Sequence, residues 1–172
     1  MKIVFVDGYN VLNSWNELKK EKEYSFAGAR EKLSDILHNY AVFDGCKVVL
    51  VFDGYKVAGN LEGKEVVNKH LTIVFTKDGE TADCYIEREV NNLGRRYEVY
   101  VVTSDRLEQQ TIFQRGAVRM SSLEFHNEVV TANKNILKIK KEKVVSNKNH
   151  LQDNVDNEIL KKLEEIRRSD LK

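Results

Sequence analysis

The chain has 172 residues, of which 41% are hydrophobic and 32% charged, enough for one domain with a sizeable core and the composition of a folded globular protein. No apolar run approaches the ~20 residues needed to cross a bilayer. A strand starts at residue 3 and leaves no room for a signal peptide, so a cytoplasmic protein with no membrane contact is expected. Cys46 and Cys84 form neither a disulfide framework nor a zinc spacing and read as core thiols in a reducing cytosol. The four histidines, His38, His70, His126 and His150, are scattered without ligand spacing.

Ile3-Val4-Phe5-Val6 is a continuous apolar run with three β-branched residues, the pattern of a strand buried on both faces of a parallel sheet. It stops at Asp7-Gly8-Tyr9-Asn10. A carboxylate at the mouth of such a strand needs a partner, because an unpaired buried charge is costly. Val11 to Tyr24 reads as a polar connection with Trp15 as its largest apolar residue. Ala29, Leu33, Ile36, Leu37 and Tyr40 then fall at helical intervals, and Asp44-Gly45 closes that helix. Cys46 to Phe52 is a second buried strand, and it too ends in Asp-Gly, at Asp53-Gly54.

Residues 54–70 show no period and read as a surface loop. Leu71 to Thr76 is a third strand, and Lys77-Asp78-Gly79 turns the chain into a helix from Glu80 to about Gly94. Glu80, Asp83 and Glu87 share one face of it. Tyr97 to Val102 is a fourth strand, closed by Thr103-Ser104-Asp105. A short helix over 106–114 and a weak fifth strand, Ala117 to Met120, follow. Ser121-Ser122-Leu123-Glu124 is a capping box opening a helix that runs toward Ile139, with Thr131–Asn135 as a possible interruption. Residues 144–154 are polar and Asn-rich, as in a linker, and Val155, Ile159, Leu163 and Ile166 mark a final amphipathic helix. Strands alternating with helices predict an α/β domain around a parallel sheet over residues 1–130, with a helical extension over 131–172.

The extension is basic. It holds eleven Lys/Arg against seven Asp/Glu, which leaves seventeen against twenty for the first 130 residues, although the whole chain carries only +1. An acidic body with a basic tail suits a polyanionic partner.

Asp7, Asp53 and Asp105 each end a strand, and Glu80 and Asp83 follow the remaining one. In open α/β sheets, the carboxyl ends of strands are where ligands bind. Carboxylates gathered there repel one another unless a cation neutralises them, and a hard ion such as Mg²⁺ takes oxygen ligands while keeping water and phosphate positions open. Two such ions can activate water and stabilise a leaving oxygen in phosphodiester cleavage. Asn10 could hold a water or phosphate, and Thr103 or Ser104 could support the carboxylates. Taken singly, each acid has a plainer explanation: Asp105 with Glu108 as an N-cap box, Asp83 as a first-turn helix acid, Asp53-Gly54 as a turn, Glu80 as a solvated side chain.

Val6-Asp7-Gly8-Tyr9-Asn10, Val51-Phe52-Asp53-Gly54, Gly79-Glu80-Thr81-Ala82-Asp83 and Val102-Thr103-Ser104-Asp105, in that order, resemble the YacP-type NYN domain of the PIN-like nuclease superfamily. Gly116-Ala117, Arg119 and Ser121 also fit, so the resemblance covers about residues 1–130. It implies a PIN-like three-layer fold with sheet order 3-2-1-4-5, and an endoribonuclease acting on mRNA in association with the ribosome. By the same resemblance Asp7, Asp83 and Asp105 hold Mg²⁺ or Mn²⁺ with Asn10 beside them as catalytic residues, while Asp53 and Glu80 are further candidate ligands. Arg30, Arg106 and Arg119 are the main candidates for phosphate contacts, with Lys56, Arg95, Arg96 and Arg115 behind them. Tyr9, Trp15 and Tyr55 are candidates for stacking on unpaired bases.

Other classes compete. A receiver-like phosphorylation module would pair two acids near the first strand, where Gly8-Tyr9-Asn10 stands instead. A haloacid-dehalogenase-like phosphatase would want an acid at Tyr9. A non-catalytic RNA- or ribosome-binding protein would keep the fold without the chemistry. Nucleotide-binding readings fail for lack of a Gly-rich phosphate loop.

Overall fold

Ile3, Val4, Phe5 and Val6 are all buried, which requires a strand covered on both faces, and β1 (Lys2–Asp7) runs through the middle of the sheet. In this computed structural model residues 1–54, 63–93, 96–103 and 117–153 are described, with side chains as far as residue 142. β1 pairs in parallel with β2 (Lys47–Phe52) on one side and β5 (Glu98–Val102) on the other. β4 (Leu71–Phe75) extends the sheet beyond β2, and β6 (Val118–Met120) extends it beyond β5, again in parallel.

The five parallel strands therefore lie in the expected order. A sixth changes one edge: Gly63–Val66, inside the expected loop, forms β3 antiparallel to β4, so the sheet reads β3-β4-β2-β1-β5-β6. All four β3 residues are exposed, so the strand has no apolar alternation by which to be recognised.

Two layers of helix cover the sheet, and the side-chain alternation of β1 sorts them. Val4 and Val6 face a cluster built by α1 (Gly8–Ser14), α2 (Asn16–Tyr24), α3 (Phe26–Asp44) and the start of α5 (Ser122–Asp153). Ile3 and Phe5 face α4 (Ala82–Leu93), through Ala82, Ile86 and Val90. This is the expected three-layer arrangement.

The expected polar connection over 11–24 is wrong. It is two short helices, of seven and nine residues, broken at Trp15, which ends one and precedes the other. Each is too short for a periodic stripe; Val11, Leu12, Trp15 and Leu18 are held by burial against the sheet and α5. Trp15 is 1% exposed, and its Nε1 donates to Ser122 O at 2.9 Å. α3 ends as expected at Gly45, whose φ of 68° is the left-handed cap that favours glycine.

The capping box at Ser121 forms in both directions: Glu124 N donates to Ser121 Oγ, and Ser121 N donates to Glu124 Oε2. From there α5 continues without interruption to Asp153, so the expected linker from residue 144 is helical as far as that residue. No glycine or proline follows Gly116, and nothing in the backbone chemistry forces a stop. Residues 1–133 pack as one unit and residues 134–172 as another. The expected helices over 106–114 and 155–166 lie outside the described residues. Cys46 is buried as expected, but Cys84 is exposed on α4. Among the described residues no helix is long and apolar enough to cross a membrane.

At the amino end of the sheet Lys2 Nζ donates to Tyr40 Oη at 3.0 Å and pairs with Asp44 at 3.0 Å, while Tyr40 Oη donates to Glu128 at 2.9 Å. This chain ties β1, α3 and α5 together. Tyr40→Phe removes the shared hydroxyl and is expected to lower stability by about 1–2 kcal/mol, read as a lower midpoint in chemical denaturation at unchanged slope.

Candidate active site

Asp7 continues the Ile3–Phe5 alternation, so it leaves the sheet on the α4 side. It is also the N-cap of α1: its Oδ1 accepts from Asn10 N at 3.1 Å, which fixes the carboxyl against the first turn. Burial, opposed by that N–H and aided by the charges of Asp83 and Asp53, pushes the Asp7 carboxyl up to about 6. Asp83 and Asp53, from separate elements, are therefore close enough to act electrically on Asp7.

Asp83 stands in the first turn of α4. Its Oδ1 is buried with no hydrogen-bond partner among the described residues, and so is Oδ1 of Asn10. A buried polar oxygen left without a partner is uncommon and points to a ligand that would satisfy it.

Asp53 follows β2, whose Val49 and Val51 face α4, and its Oδ1 accepts from Ala82 N at 2.6 Å. Gly54 N donates to Thr76 Oγ1 at 3.0 Å, and that hydroxyl donates to Glu80 O at 2.6 Å. Thr76 belongs to no motif; its only signal in the sequence is a hydroxyl at the end of a buried strand. The Glu80 carboxylate pairs with the guanidinium of Arg88.

Thr103, expected to support the acids, is fully buried beyond β5, and its N–H donates to Met120 O at 3.2 Å. Arg119 follows buried Ala117 on the α4 side of β6, with its Nε buried and without a partner among the described residues. Arg30 is half-buried in the second turn of α3. Asp105 and Arg106 lie outside the described residues, as do Tyr55, Lys56, Arg95, Ser104 and Arg115. Tyr9 and Trp15 cannot stack on bases: they are 6% and 1% exposed, Tyr9 set edge-on against Phe52 with ring centroids 5.2 Å apart.

Among the described residues no three His, Cys, Asp or Glu side chains form a ready-made metal-binding group. The donors that are present nevertheless suit a hard divalent cation. They are all oxygens: the Asp7 carboxyl, held toward its neutral form by burial and neighbouring acids, and the unpartnered Asp83 and Asn10 oxygens.

A parallel α/β sheet with acids at its carboxyl edge is the frame of a nuclease-type NYN domain, and the chain belongs to the YacP-like NYN domain family, whose model matches residues 4–168. The match runs through most of the basic extension as well as the α/β body. YacP of Bacillus subtilis (strain 168) is 38% identical, with 99% of each chain covered. The crystal structure of Rae1 (YacP) from Bacillus subtilis has a TM-score of 0.73 at 38% identity, covering 99% of this chain and 97% of that one. A second crystal structure of that protein, a single-substitution mutant, has a TM-score of 0.71 at 34% identity, covering 83% of this chain and 82% of that one.

Proposed function

We propose that the protein is a divalent-metal-dependent endoribonuclease that cleaves mRNA in association with the ribosome in the cytoplasm. Asp7, Asp83 and Asp105 would hold Mg²⁺ or Mn²⁺, with Asn10 beside them. The observation that carries this reading is the pair of buried, unpartnered oxygens of Asp83 and Asn10 next to an Asp7 carboxyl that burial and two neighbouring acids resist ionising. Membership of a nuclease-type family supports phosphodiester cleavage, and the basic extension supports a polyanionic partner.

When bound, the ion supplies a more acidic water and neutralises charge building on the phosphate. The chain supplies position. Asp7 is aimed by its own helix cap, so its carboxyl needs no reordering before reaction. Asn10, one turn further, offers an amide to a water or a phosphate oxygen. Arg30, Arg106 and Arg119 would draw the RNA backbone toward the acids without reading its sequence. With Asp53 engaged by Ala82 and Glu80 by Arg88, a ligand role for either would add to those contacts.

The test is cleavage of an mRNA, free and on translating ribosomes, with Mg²⁺ or Mn²⁺ and with chelator. Cleavage is expected to need the metal and to fall on the order of 10³-fold in Asp83→Asn, with RNA and ribosome binding retained. Intact binding with no cleavage under any divalent ion, on or off the ribosome, would leave a non-catalytic RNA- or ribosome-binding protein.

A further inference from the structure

Among the described acids at the carboxyl edge, Asp53 alone accepts a hydrogen bond from the first residue of α4, across 29 residues of chain, and the bond is buried. It is short, 2.6 Å, and charge-assisted, and it places a carboxylate at a helix N-terminus, where the aligned peptide dipoles favour one. Three further bonds reinforce it. The Thr76 hydroxyl, on a residue 2% exposed, accepts from Gly54 N and donates to Glu80 O, while Thr76 N donates to Phe52 O at 2.9 Å. The exits of β2 and β4 and the start of α4 are thus tied at one point, and Asp83 is the next residue along from it.

We infer that Asp53 is a positioning residue: it ties the end of β2 to Ala82 and so sets where Asp83 stands relative to Asp7, without itself being a ligand of the metal. The inference rests on the metal-nuclease reading and adds to it the part that holds the site's geometry. A ligand displaced by about an ångström loses much of its effect, so the tie matters to chemistry as well as to folding. Thr76 acts in the same way, one bond further back.

A carboxylate acting as ligand and one acting as acceptor respond differently to amide replacement. Asp53→Asn keeps an Oδ1 acceptor for Ala82 N but loses the charge a metal requires; Asp53→Ala loses both. Thr76→Val removes the second tie without altering any carboxylate, and Thr76→Ser keeps it. The readouts are amide hydrogen exchange at Ala82 and Asp83, Mn²⁺ affinity by titration, and kcat separated from KM, all on full-length protein with its thermal midpoint recorded.

Thr76→Ser is expected to match wild type, and Asp53→Asn, which keeps the acceptor but gives up the charge assistance, to lose far less than Asp53→Ala in exchange protection and in Mn²⁺ affinity. Asp53→Ala and Thr76→Val are expected to exchange faster at Ala82, to weaken Mn²⁺ by about tenfold or more, and to lower kcat with KM little changed. If Asp53→Asn weakens Mn²⁺ as much as Asp53→Ala while Ala82 exchange stays at the wild-type rate, Asp53 is a ligand and the inference is overturned. Wild-type exchange at Ala82 in Asp53→Ala overturns it equally. Should wild type bind no Mn²⁺, the nuclease reading falls, and the exchange rates still decide whether Asp53 holds α4. Should Asp53→Ala not fold, Asp53→Asn and the Thr76 pair decide alone.

Discussion

Asp7→Asn is expected to abolish RNA cleavage and, in the same preparation, to raise the thermal midpoint of the metal-free protein at pH 8. The loss of activity follows from removing a charged oxygen donor from the proposed centre and is on the order of 10³-fold. The gain in stability follows from the carboxyl being raised from 3.8 to about 6 by burial and by Asp83 and Asp53. Folding then favours the neutral acid. That contribution is fully present below the unfolded-state value of about 4 and is lost as pH rises through about 6. At pH 8 the wild type therefore holds an unwelcome charge, at a cost of about 3 kcal/mol, that Asn does not carry. Asn also caps helices well and can keep the bond from Asn10 N, so the substitution does not unmake α1. The check is a pair of melting curves in chelator at pH 4.5 and pH 8. The gap should be far wider at the higher pH and should shrink when Mg²⁺ is added. A variant less stable than wild type at pH 8 would contradict the electrostatic account of the site.

Gly54→Ala is expected to lower stability by about 3–5 kcal/mol, because there is no room for the methyl group. A Cβ at Gly54 would lie 1.9 Å from Thr76 O, a backbone atom that cannot rotate away. Relief requires β2 and β4 to part just where Gly54 N and Thr76 Oγ1 bond. The same parting would shift Glu80 and the start of α4, so any folded fraction should also bind metal poorly. Urea denaturation followed by the fluorescence of Trp15 gives the first quantity, and Mn²⁺ titration of the surviving folded protein gives the second. A midpoint close to wild type would show that the strand ends are looser than their hydrogen bonds indicate.

The parallel sheet was legible in the sequence because its strands are nearly all apolar and each stops abruptly at a polar residue. Ile3 to Asp7 and Lys47 to Asp53 state both the burial and the place where it ends. Asp7 and Asp83 could be grouped before any coordinates, since strand ends and the helix after the third strand must share one edge of a parallel sheet. β3 was not legible: Gly63 to Val66 is an exposed edge, and its pairing with β4 is made by backbone atoms that leave no mark on side-chain pattern. α1 and α2 were missed for a related reason, because they are fixed by where Leu12, Trp15 and Leu18 land rather than by any repeat. Trp15 and Tyr9 looked like ring faces available to RNA, yet position in the fold turned both inward. Asp53 showed its place but not its partner. Only the register between the end of β2 and the first turn of α4 reveals that its carboxyl meets Ala82 N.

Trp15, the chain's one tryptophan, gives its indole hydrogen to a carbonyl 107 residues later, and its ring lies against His126 and near Phe125. During synthesis this pocket cannot close when the first helices emerge. It waits until Phe125, Val129 and Ala132 have left the ribosome, by which time most of the message has been read. This side of the core is therefore completed late, and the emission of a single indole times that event on a stalled nascent chain. For an enzyme proposed to cut messages on ribosomes, such a schedule leaves the growing polypeptide without a finished core until about residue 132 is free.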